Sequence, residues 1–162
     1  MGKTLPQIET VLQASGLPFE VWPCDPEAAD TAAFCERYSV SPAHSANTIV
    51  VRSKTGELRY AVCVVLATHR LDVNHVVRKK LGVRKVSFAS AEETRELTGM
   101  EIGGVTPIGL PDDLPVWIDQ AVTECEYVIL GGGNRSSKLK IDPGLFSQLP
   151  AVEIVAQLAK AG

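Results

Sequence analysis

Apolar residues recur along the chain with two periods, one typical of helices and one typical of strands. Leu5, Ile8 and Leu12 are three and four residues apart, which predicts an amphipathic helix from Thr4 to Ser15. Capping residues such as Asp or Ser at the start, and Gly at the end, mark further helices. These are predicted from Asp25 to about Tyr38, from Asp72 to Gly82, from Ser90 to Gly99, and over the short segments Pro143–Leu149 and Val152–Ala161.

Runs of β-branched residues predict the strands. Thr48–Arg52 and Leu58–Leu66 flank the Gly-containing segment Lys54–Glu57, which predicts a β-hairpin. Other strands are predicted over Phe19–Trp22, Lys85–Phe88, Val116–Ala121, Glu126–Leu130 and Lys138–Ile141. Most of these strands are joined by hairpin-length links rather than by helical crossovers. We therefore expect an α+β domain with a mixed, mostly antiparallel sheet.

Length and composition indicate one domain over residues 1–162, because no linker or repeat divides a chain of this size. The four cysteines, Cys24, Cys35, Cys63 and Cys125, form no Cys-x-x-Cys pair, which favours a reducing compartment and a cytoplasmic protein. No apolar run approaches the ~18 residues of a membrane span, so we expect no membrane association. A monomer is the default expectation.

Charge is unevenly distributed along the chain. The net charge of −3 excludes a uniformly basic nucleic-acid coat protein. Residues 52–85, however, hold nine basic and two acidic residues, a balance of +7, whereas residues 92–126 hold nine acidic residues and one basic, a balance of −8. The basic residues Arg78, Lys79 and Lys80 either complement the dipole at a helix C-terminus or belong to a phosphate-facing surface.

The sequence lacks the common metal-binding and nucleophile motifs. His44, His69 and His75 are not spaced as metal ligands, and no Gly-x-Ser-x-Gly nucleophile motif occurs. His69 follows a long strand, where either a site residue or a solvated histidine would fit. The segment Gly131–Lys138 lacks the order of a Walker phosphate loop, so a hairpin turn and an anion site both remain open for it.

Four ordered segments carry a resemblance to a known family: Ala46–Val51, Arg70–Asp72, Leu97–Leu110 and Gly131–Ser136. With them, the chain resembles the YbaK/EbsC family, which is prolyl-tRNA editing domain-like, from about Thr31 to Leu149. The resemblance implies a single compact domain with a barrel-like sheet flanked by helices. It also implies a trans-acting aminoacyl-tRNA deacylase that hydrolyses the ester of a mischarged tRNA and works without a metal or other cofactor. The expected partners are the acceptor end of a mischarged tRNA and an aminoacyl-tRNA synthetase.

The resemblance also implies roles for particular residues. The loop that contains Gly103, Gly104 and Pro107 would supply backbone amides that stabilise an oxyanion, and the attacking water would be positioned by backbone and by the ribose hydroxyl of the substrate. The substrate-binding residues would be Asn47, Thr48, Thr106, Gly109, Gly132, Gly133, Asn134, Arg135 and Ser136. The residues expected to face the tRNA are Arg78, Lys79, Lys80 and Lys138.

The chain departs from the family pattern at Asn47, where the family usually has a lysine. A charged hydrogen bond of ~1.5 to 3 kcal/mol would weaken to a neutral one nearer ~1 kcal/mol. Three consequences remain open: altered substrate choice, a substitute cation such as Lys138 or Arg52, or lost catalysis. Lost catalysis would leave a non-catalytic module that binds aminoacyl-tRNA or a nucleotide. A small-molecule ester or amide hydrolase is a third reading.

Overall fold

A computed structural model describes residues 3–162, so Met1 and Gly2 of the predicted 1–162 domain lie outside it. The α-helices are α1 Pro6–Ser15, α2 Thr31–Tyr38, α3 Arg78–Leu81, α4 Ala91–Thr98 and α5 Gln120–Thr123. The strands are β1 Phe19–Pro23, β2 Ala46–Ser53, β3 Tyr60–Leu66, β4 His69–Leu71, β5 Val86–Phe88, β6 Val116–Asp119, β7 Val128–Gly131, β8 Ser137–Ile141, β9 Val152–Val155 and β10 Ala159–Ala161. Short 3-10 turns occupy Pro26–Ala28, Pro42–His44 and Pro143–Gln148.

Two larger sheets and one small one form the domain. The first has the order β5-β2-β3-β6-β9, in which β3, β6 and β9 are parallel and the other pairs are antiparallel. The second is antiparallel, with the order β1-β8-β7. These two sheets meet at a parallel bridge between Ser45 and Ile129, just before β2 begins. The mixed, mostly antiparallel sheet and the single compact α+β domain are thus confirmed.

Strand β2 contributes to cores on both of its faces. Ala46 and Val50 belong to the main core between the sheets, which also contains Ile8 and Leu12 of α1. Val51 belongs to a second core on the outer face, where Ile49 packs against it. Side chains of a strand alternate between faces, so a run of apolar residues such as TIVVR suits a strand covered on both sides.

The predicted helix over Val152–Ala161 is wrong, because this segment forms β9 and β10. Val152 to Val155 are rich in β-branched residues and pair in parallel with β6, which already lies inside the sheet. Gln157 then adopts a positive φ of 60°, and the chain turns to pair β10 with β4. Tertiary pairing at an open sheet edge therefore decides the conformation of this segment.

Two predicted helices begin differently from the expectation. The helix predicted from Asp25 divides into the turn Pro26–Ala28 and α2, with Asp30 in extended conformation between them. The helix predicted from Asp72 opens with a π turn at Val73–Val77 and continues as α3. None of the helices within residues 3–162 is long and apolar enough to cross a membrane.

Candidate functional site

A cavity of about 190 Å³ lies where the two large sheets approach each other. Strand β2, the loop after α4, the start of α2 and the hairpin β7–β8 all contribute to its wall. Charged or polar side chains and exposed backbone are both present there. The lining residues are Asp30, Thr31, Ala46, Asn47, Thr48, Ile49, Gly103, Val105, Gly131 and Lys138.

The cavity exists because one edge of β2 is only partly paired. Along its other edge β2 pairs with β3 from Ala46 to Arg52. On the cavity side, β5 pairs only with Val51–Ser53, and the bridge to β7 is made by Ser45 and Ile129, just before β2 begins. In the part of the chain that the structure describes, residues 47–49 therefore have no strand partner on that side.

Lys138 brings a positive charge into this cavity from β8. Its side chain is 4% exposed, and its Nζ donates hydrogen bonds to the carbonyl oxygens of Ala29 and, at 3.2 Å, of Gly103. The Nζ also lies 5.3 Å from the centre of the Phe34 ring. Burial lowers the pKa of Lys138 because it disfavours the ammonium form. We expected from the sequence that Lys138 faces the tRNA together with the basic residues of α3. In the structure its side chain on β8 is directed into the protein instead.

Asn47 and Thr48 offer further polar groups on β2. The Thr31 hydroxyl donates a hydrogen bond to Asn47 Oδ1, and no acceptor among residues 3–162 takes the Asn47 Nδ2 hydrogens. Thr48 Oγ1 is buried and likewise has no hydrogen-bond partner in the described chain. Both residues line the cavity, but Thr48 Oγ1 is itself buried, so the Asn47 Nδ2 group is the donor of the pair that a ligand there would meet.

Two residues of the loop that follows α4 line the same cavity and have backbone N–H groups without an acceptor in the described chain. The N–H groups of Gly103 and Val105 donate to no acceptor within residues 3–162, whereas Gly104 N–H donates to Glu101 O at 2.8 Å. Gly103 and Val105 line the cavity. Of the two glycines expected to supply amides, Gly103 therefore has a free N–H and Gly104 uses its own in a turn.

The glycines of the loop and of the β7–β8 hairpin interlock. A Cβ on Gly104 would lie 2.1 Å from Asn134 O, and a Cβ on Gly131 would lie 2.6 Å from Gly104 O. The two backbones are also joined by a hydrogen bond of 2.6 Å from Gly133 N–H to Gly104 O. Gly133 has a φ of 87°, so the hairpin-turn interpretation of Gly131–Asn134 is confirmed.

Asn134, Arg135 and Ser136 lie behind the cavity wall. Asn134 Oδ1 accepts hydrogen bonds from Ser136 N–H at 3.1 Å and from Ser137 Oγ at 2.8 Å, which fixes the turn. The Arg135 guanidinium donates to Ile102 O at 2.9 Å, to Pro26 O at 2.8 Å and to Asp30 Oδ1 at 3.3 Å. Arg135 therefore ties the Gly103 loop to the segment before α2.

Other residues that the sequence associated with the site lie elsewhere. Pro107 and Gly109 line a separate cavity of about 270 Å³ beside α1. Thr106 is fully buried, and its hydroxyl has no partner among the described residues. A Cβ on Gly132 would lie 2.0 Å from Ser137 Oγ, so Gly132 is required for packing within the hairpin.

The basic residues of α3 differ in availability. Lys79 is exposed, Arg78 Nε donates to Asn74 O at 2.9 Å, and Lys80 Nζ lies 2.7 Å from Glu153 Oε2. Leu81, at the end of α3, belongs to the second core, against which the cavity residue Ile49 packs. Helix α3 is thus attached to the outer face of the strand that lines the cavity.

Arg52, the other candidate for a substitute cation, has different partners. Its guanidinium pairs with Glu93 and lies 5.9 Å from the centre of the Tyr60 ring. It does not line the cavity. Of these two substitutes for the lysine missing at position 47, only Lys138 lines the cavity with Asn47.

Asp30 and Thr31 are cavity residues that sequence reasoning missed, because both were placed inside one continuous helix. The available signal was Asp30 itself, since Asp is a preferred residue immediately before a helix. Its carboxylate is 70% exposed and contacts Arg135 at the mouth of the cavity.

Cysteine and histidine side chains are absent from the lining of this cavity. Burial raises the pKa of the Cys24 thiol and raises that of Cys63 to about 12, so these thiols remain protonated at neutral pH. Across residues 3–162, no group of three or more His, Cys, Asp or Glu side chains is arranged to hold a metal ion.

Similar sequences among known proteins include several that concern tRNA aminoacylation or its editing. A family model described as the aminoacyl-tRNA editing domain matches residues 25–148. Uncharacterized protein YwhH of Bacillus subtilis is 30% identical over 105 residues, which are 65% of this chain and 66% of that protein. EbsC of Enterococcus faecalis, a candidate Cys-tRNA(Pro)/Cys-tRNA(Cys) deacylase, is 25% identical over 95 residues, which are 59% of this chain and 56% of EbsC. A proline–tRNA ligase of Bacillus cytotoxicus is 33% identical over 85 residues, 52% of this chain and 14% of the ligase.

Solved structures share the whole fold. The crystal structure of a hypothetical protein covers 95% of this chain and 99% of its own, with a TM-score of 0.80 and 25% identity. That of a candidate trans-editing enzyme for prolyl tRNA synthetase covers 96% of both chains, with a TM-score of 0.75 and 22% identity. The fold therefore extends beyond the segments matched by sequence. With residues 25–148 matched by the family model, this chain belongs to the aminoacyl-tRNA editing domain family and is YbaK/EbsC-like.

Proposed function

We propose that this chain is a trans-acting aminoacyl-tRNA deacylase, which hydrolyses the ester between a mischarged amino acid and the 3′-terminal adenosine of a tRNA. The observation that carries the proposal is the convergence of unused hydrogen-bond donors on one cavity. Gly103 and Val105, whose N–H groups have no acceptor among residues 3–162, and Asn47, whose Nδ2 has none, all line the same 190 Å³ space. An ester that enters this space would meet donors already in position.

The reaction is the attack of water on the ester carbonyl carbon. The carbonyl oxygen becomes an oxyanion, and collapse of the tetrahedral intermediate breaks the bond to the ribose 3′ oxygen. The proton released by the water ends on that oxygen, so the products are the free amino acid and a tRNA with a 3′ hydroxyl. Preorganised N–H donors stabilise such an oxyanion, and removal of one typically costs about 100- to 1,000-fold in rate.

The proposal assigns the nucleophile to water rather than to a side chain. The Asp30 carboxylate lies at the mouth with Arg135, and the thiols lie outside the lining. Backbone carbonyl groups of the cavity and the neighbouring ribose hydroxyl of the substrate would orient the water. The expected second partner is an aminoacyl-tRNA synthetase, and the one-domain organisation over residues 1–162 is part of the same proposal. Such an activity belongs in the cytoplasm, where tRNAs are charged.

A panel of mischarged tRNAs tests the proposal. The protein is incubated with tRNAs that each carry one labelled wrong amino acid, and the ester loss is compared with the spontaneous rate. We expect at least one member of the panel to be deacylated well above that rate. Asn47→Leu removes one cavity amide, while Gln13→Leu removes an exposed amide on α1 and serves as the matched control. No accelerated ester loss for any member would refute the deacylase.

A second candidate function, a non-catalytic binding module, is favoured by one observation. Asn47 supplies a neutral amide from β2, and its Oδ1 is occupied by the Thr31 hydroxyl. Such a module would bind a non-hydrolysable aminoacyl-tRNA analogue without accelerating ester loss. Binding of the analogue together with turnover of the matching ester would remove this alternative.

A further inference from the structure

Lys138 is a buried ammonium that makes no salt bridge within residues 3–162, and the carboxylate of Asp30 in the same cavity pairs with Arg135 instead. Its side chain is 4% exposed, and no carboxylate oxygen lies within 4.0 Å of its Nζ in residues 3–162. Two hydrogen bonds go to the carbonyls of Ala29 and Gly103, and an ammonium has three donors. A buried charge without a directly paired counter-charge is costly, so its retention points to an oxygen anion brought by a ligand.

The neighbouring cations are committed elsewhere, which singles Lys138 out. Arg135 uses its guanidinium to hold Ile102, Pro26 and Asp30. Lys140, two residues along β8, lies 3.5 Å from Glu20 Oε2 and stacks over Tyr127, with 4.7 Å to the ring centre. Among the residues that line the cavity, Lys138 is the one basic side chain.

Lys138 also touches the loop that carries the free amides. Its Nζ bonds the Gly103 carbonyl oxygen at 3.2 Å, while the Gly103 N–H has no acceptor in the described chain. Lys138 and the residues that carry these amide donors therefore line one small space. In that space a cation and neutral N–H groups would act on the same oxygen, and both interactions strengthen as negative charge develops.

We propose that Lys138 is a catalytic residue whose ammonium donates its remaining hydrogen bond to the carbonyl oxygen of the scissile ester. The contact becomes charge-assisted as that oxygen turns into the oxyanion. This inference rests on the proposed deacylase function and deepens it. Its consequence is that the positive charge of the site comes from β8, while β2 contributes the neutral Asn47 amide beside it.

The test separates transition-state stabilisation from tRNA binding. Lys138→Gln keeps a donor but loses the charge, and its kcat and KM are measured on the mischarged tRNA that the wild type hydrolyses. We expect kcat to fall about 100- to 1,000-fold with KM changed less than about threefold, because the interaction forms fully only in the transition state. Lys140→Gln, on the same strand, is the matched control and should retain wild-type values.

Other outcomes are equally informative. A raised KM with unchanged kcat would show that Lys138 binds a phosphate of the tRNA, and a kcat within about fivefold of wild type would show that its charge is dispensable. Either result overturns the inference while the deacylase function stands. A wild type that hydrolyses no member of the panel overturns both. Should Lys138→Gln fail to fold, as judged by thermal unfolding, Lys138→Met keeps the stem that packs beside Phe34 and replaces it in the same assay.

A rescue variant adds an independent readout. Because Asn47 and Lys138 line the same cavity, Asn47→Lys would bring an ammonium into it from β2 instead of β8. We expect Asn47→Lys combined with Lys138→Gln to recover at least about tenfold of the lost kcat. A double variant as slow as Lys138→Gln alone would show that a cation elsewhere in the cavity does not act on the ester, and would overturn the assignment.

Discussion

The Arg135 guanidinium occupies the space that a side chain at Gly103 would need. A Cβ built on Gly103 falls 2.0 Å from Arg135 Nη1, and Gly103 has a φ of 92°, a conformation that residues with a Cβ rarely adopt. The same guanidinium holds the loop through its hydrogen bond to Ile102 O. Gly103 is therefore required both by backbone conformation and by the residue that positions its loop.

Gly103→Ala is expected to impair deacylation far more than stability. The added Cβ must displace Arg135 or shift the loop, and a shift of about 1 Å at a catalytic group can cost about 100-fold in rate. The strained φ should cost about 1 to 3 kcal/mol of unfolding free energy. Activity is measured on a mischarged tRNA and stability by urea unfolding.

Gly56→Ala is the matched control for this prediction. Gly56 also has a positive φ, 72°, but nothing lies within 4 Å of its added Cβ. The Gly56→Ala variant should lose about 1 to 2 kcal/mol of unfolding free energy and keep wild-type activity. Equal activity losses in the two variants would mean that backbone strain in general, rather than the Arg135 contact, limits the reaction.

Arg135→Gln is expected to lower activity by loosening the loop. It removes hydrogen bonds to Ile102 O at 2.9 Å and Pro26 O at 2.8 Å, which join the Gly103 loop to the segment before α2. The unfolding free energy should fall by about 1 to 3 kcal/mol, and kcat should fall at least tenfold. Steady-state kinetics and urea unfolding measure the two effects.

Arg59→Gln is the control for the loss of a hydrogen bond from a guanidinium to a backbone carbonyl oxygen. Arg59 Nη1 donates to Leu81 O at 2.7 Å, and Arg59 does not line the cavity. It should lose comparable stability with unchanged kcat. If Arg135→Gln also kept full kcat, the loop would not depend on the Arg135 clamp.

The sequence predicted those elements whose conformation is determined by residues close together in the chain. The β2–β3 hairpin follows from β-branched runs around a glycine turn, and the structure confirms it. Val152–Ala161 could not be assigned this way, because its strands depend on the edges that β6 and β4 offer from distant positions. Non-local pairing overrides the weak local preference of such a short segment.

The candidate site was predictable to a similar extent. The motif segments identified Asn47, Thr48 and Gly103, which the fold brings to one cavity. The direction of Lys138 could not be read from its spacing, because it depends on the packing of β8 against Ala29 and Phe34. Asn134 and Arg135 likewise belong to the motif but hold loops rather than line the space. A sequence motif thus identifies the region of the site. The distances in the structure then show which residues contact the cavity and which hold the loops around it.

Binding of tRNA should depend on salt through Lys79 of α3. Lys79 is exposed, and its helix packs on the strand that lines the cavity, so its ammonium is available for a phosphate contact. Each phosphate contact contributes about −0.7 to −0.9 to the slope of log K against log salt. Lys79→Gln should reduce the magnitude of the slope by that amount, as measured by fluorescence anisotropy of labelled tRNA at several salt concentrations.

Two comparisons test the position of the tRNA-facing surface. Lys80→Gln should change the slope less, because Glu153 lies 2.7 Å from the Lys80 Nζ and already neutralises it. Arg37→Gln, in an exposed ion pair with Asp25 outside the basic stretch, should leave the slope unchanged. A full change with Arg37→Gln and none with Lys79→Gln would locate the tRNA on α2 rather than on α3.

Stability should respond to alkaline pH through Lys138. Burial lowers the pKa of Lys138 in the folded state below the ordinary value of about 10.4 that it has when unfolded. Between these two pKa values the unfolded chain holds more protons at this site. The folded protein loses this proton at a lower pH than the unfolded chain does. The contribution of Lys138 to the unfolding free energy therefore increases as pH rises through that window.

The thiols near Lys138 act in the opposite direction, so a difference measurement is needed. Burial raises the pKa of Cys24 in the folded state. The stabilisation that comes from such a protonated thiol is lost as pH rises above the unfolded-state pKa of about 8.5. Asp30, Arg135 and Cys35 are the other charged or titratable groups that influence Lys138. Lys138→Met leaves these groups in place and removes the ammonium, and because the ammonium holds the pKa of Cys24 down, its loss changes the difference in the same direction. The unfolding free energies of wild type and Lys138→Met are measured by urea with reductant from pH 7 to pH 10. We expect the wild-type value minus the variant value to increase with pH, and a constant difference would mean that folding leaves the ionisation of Lys138 unchanged.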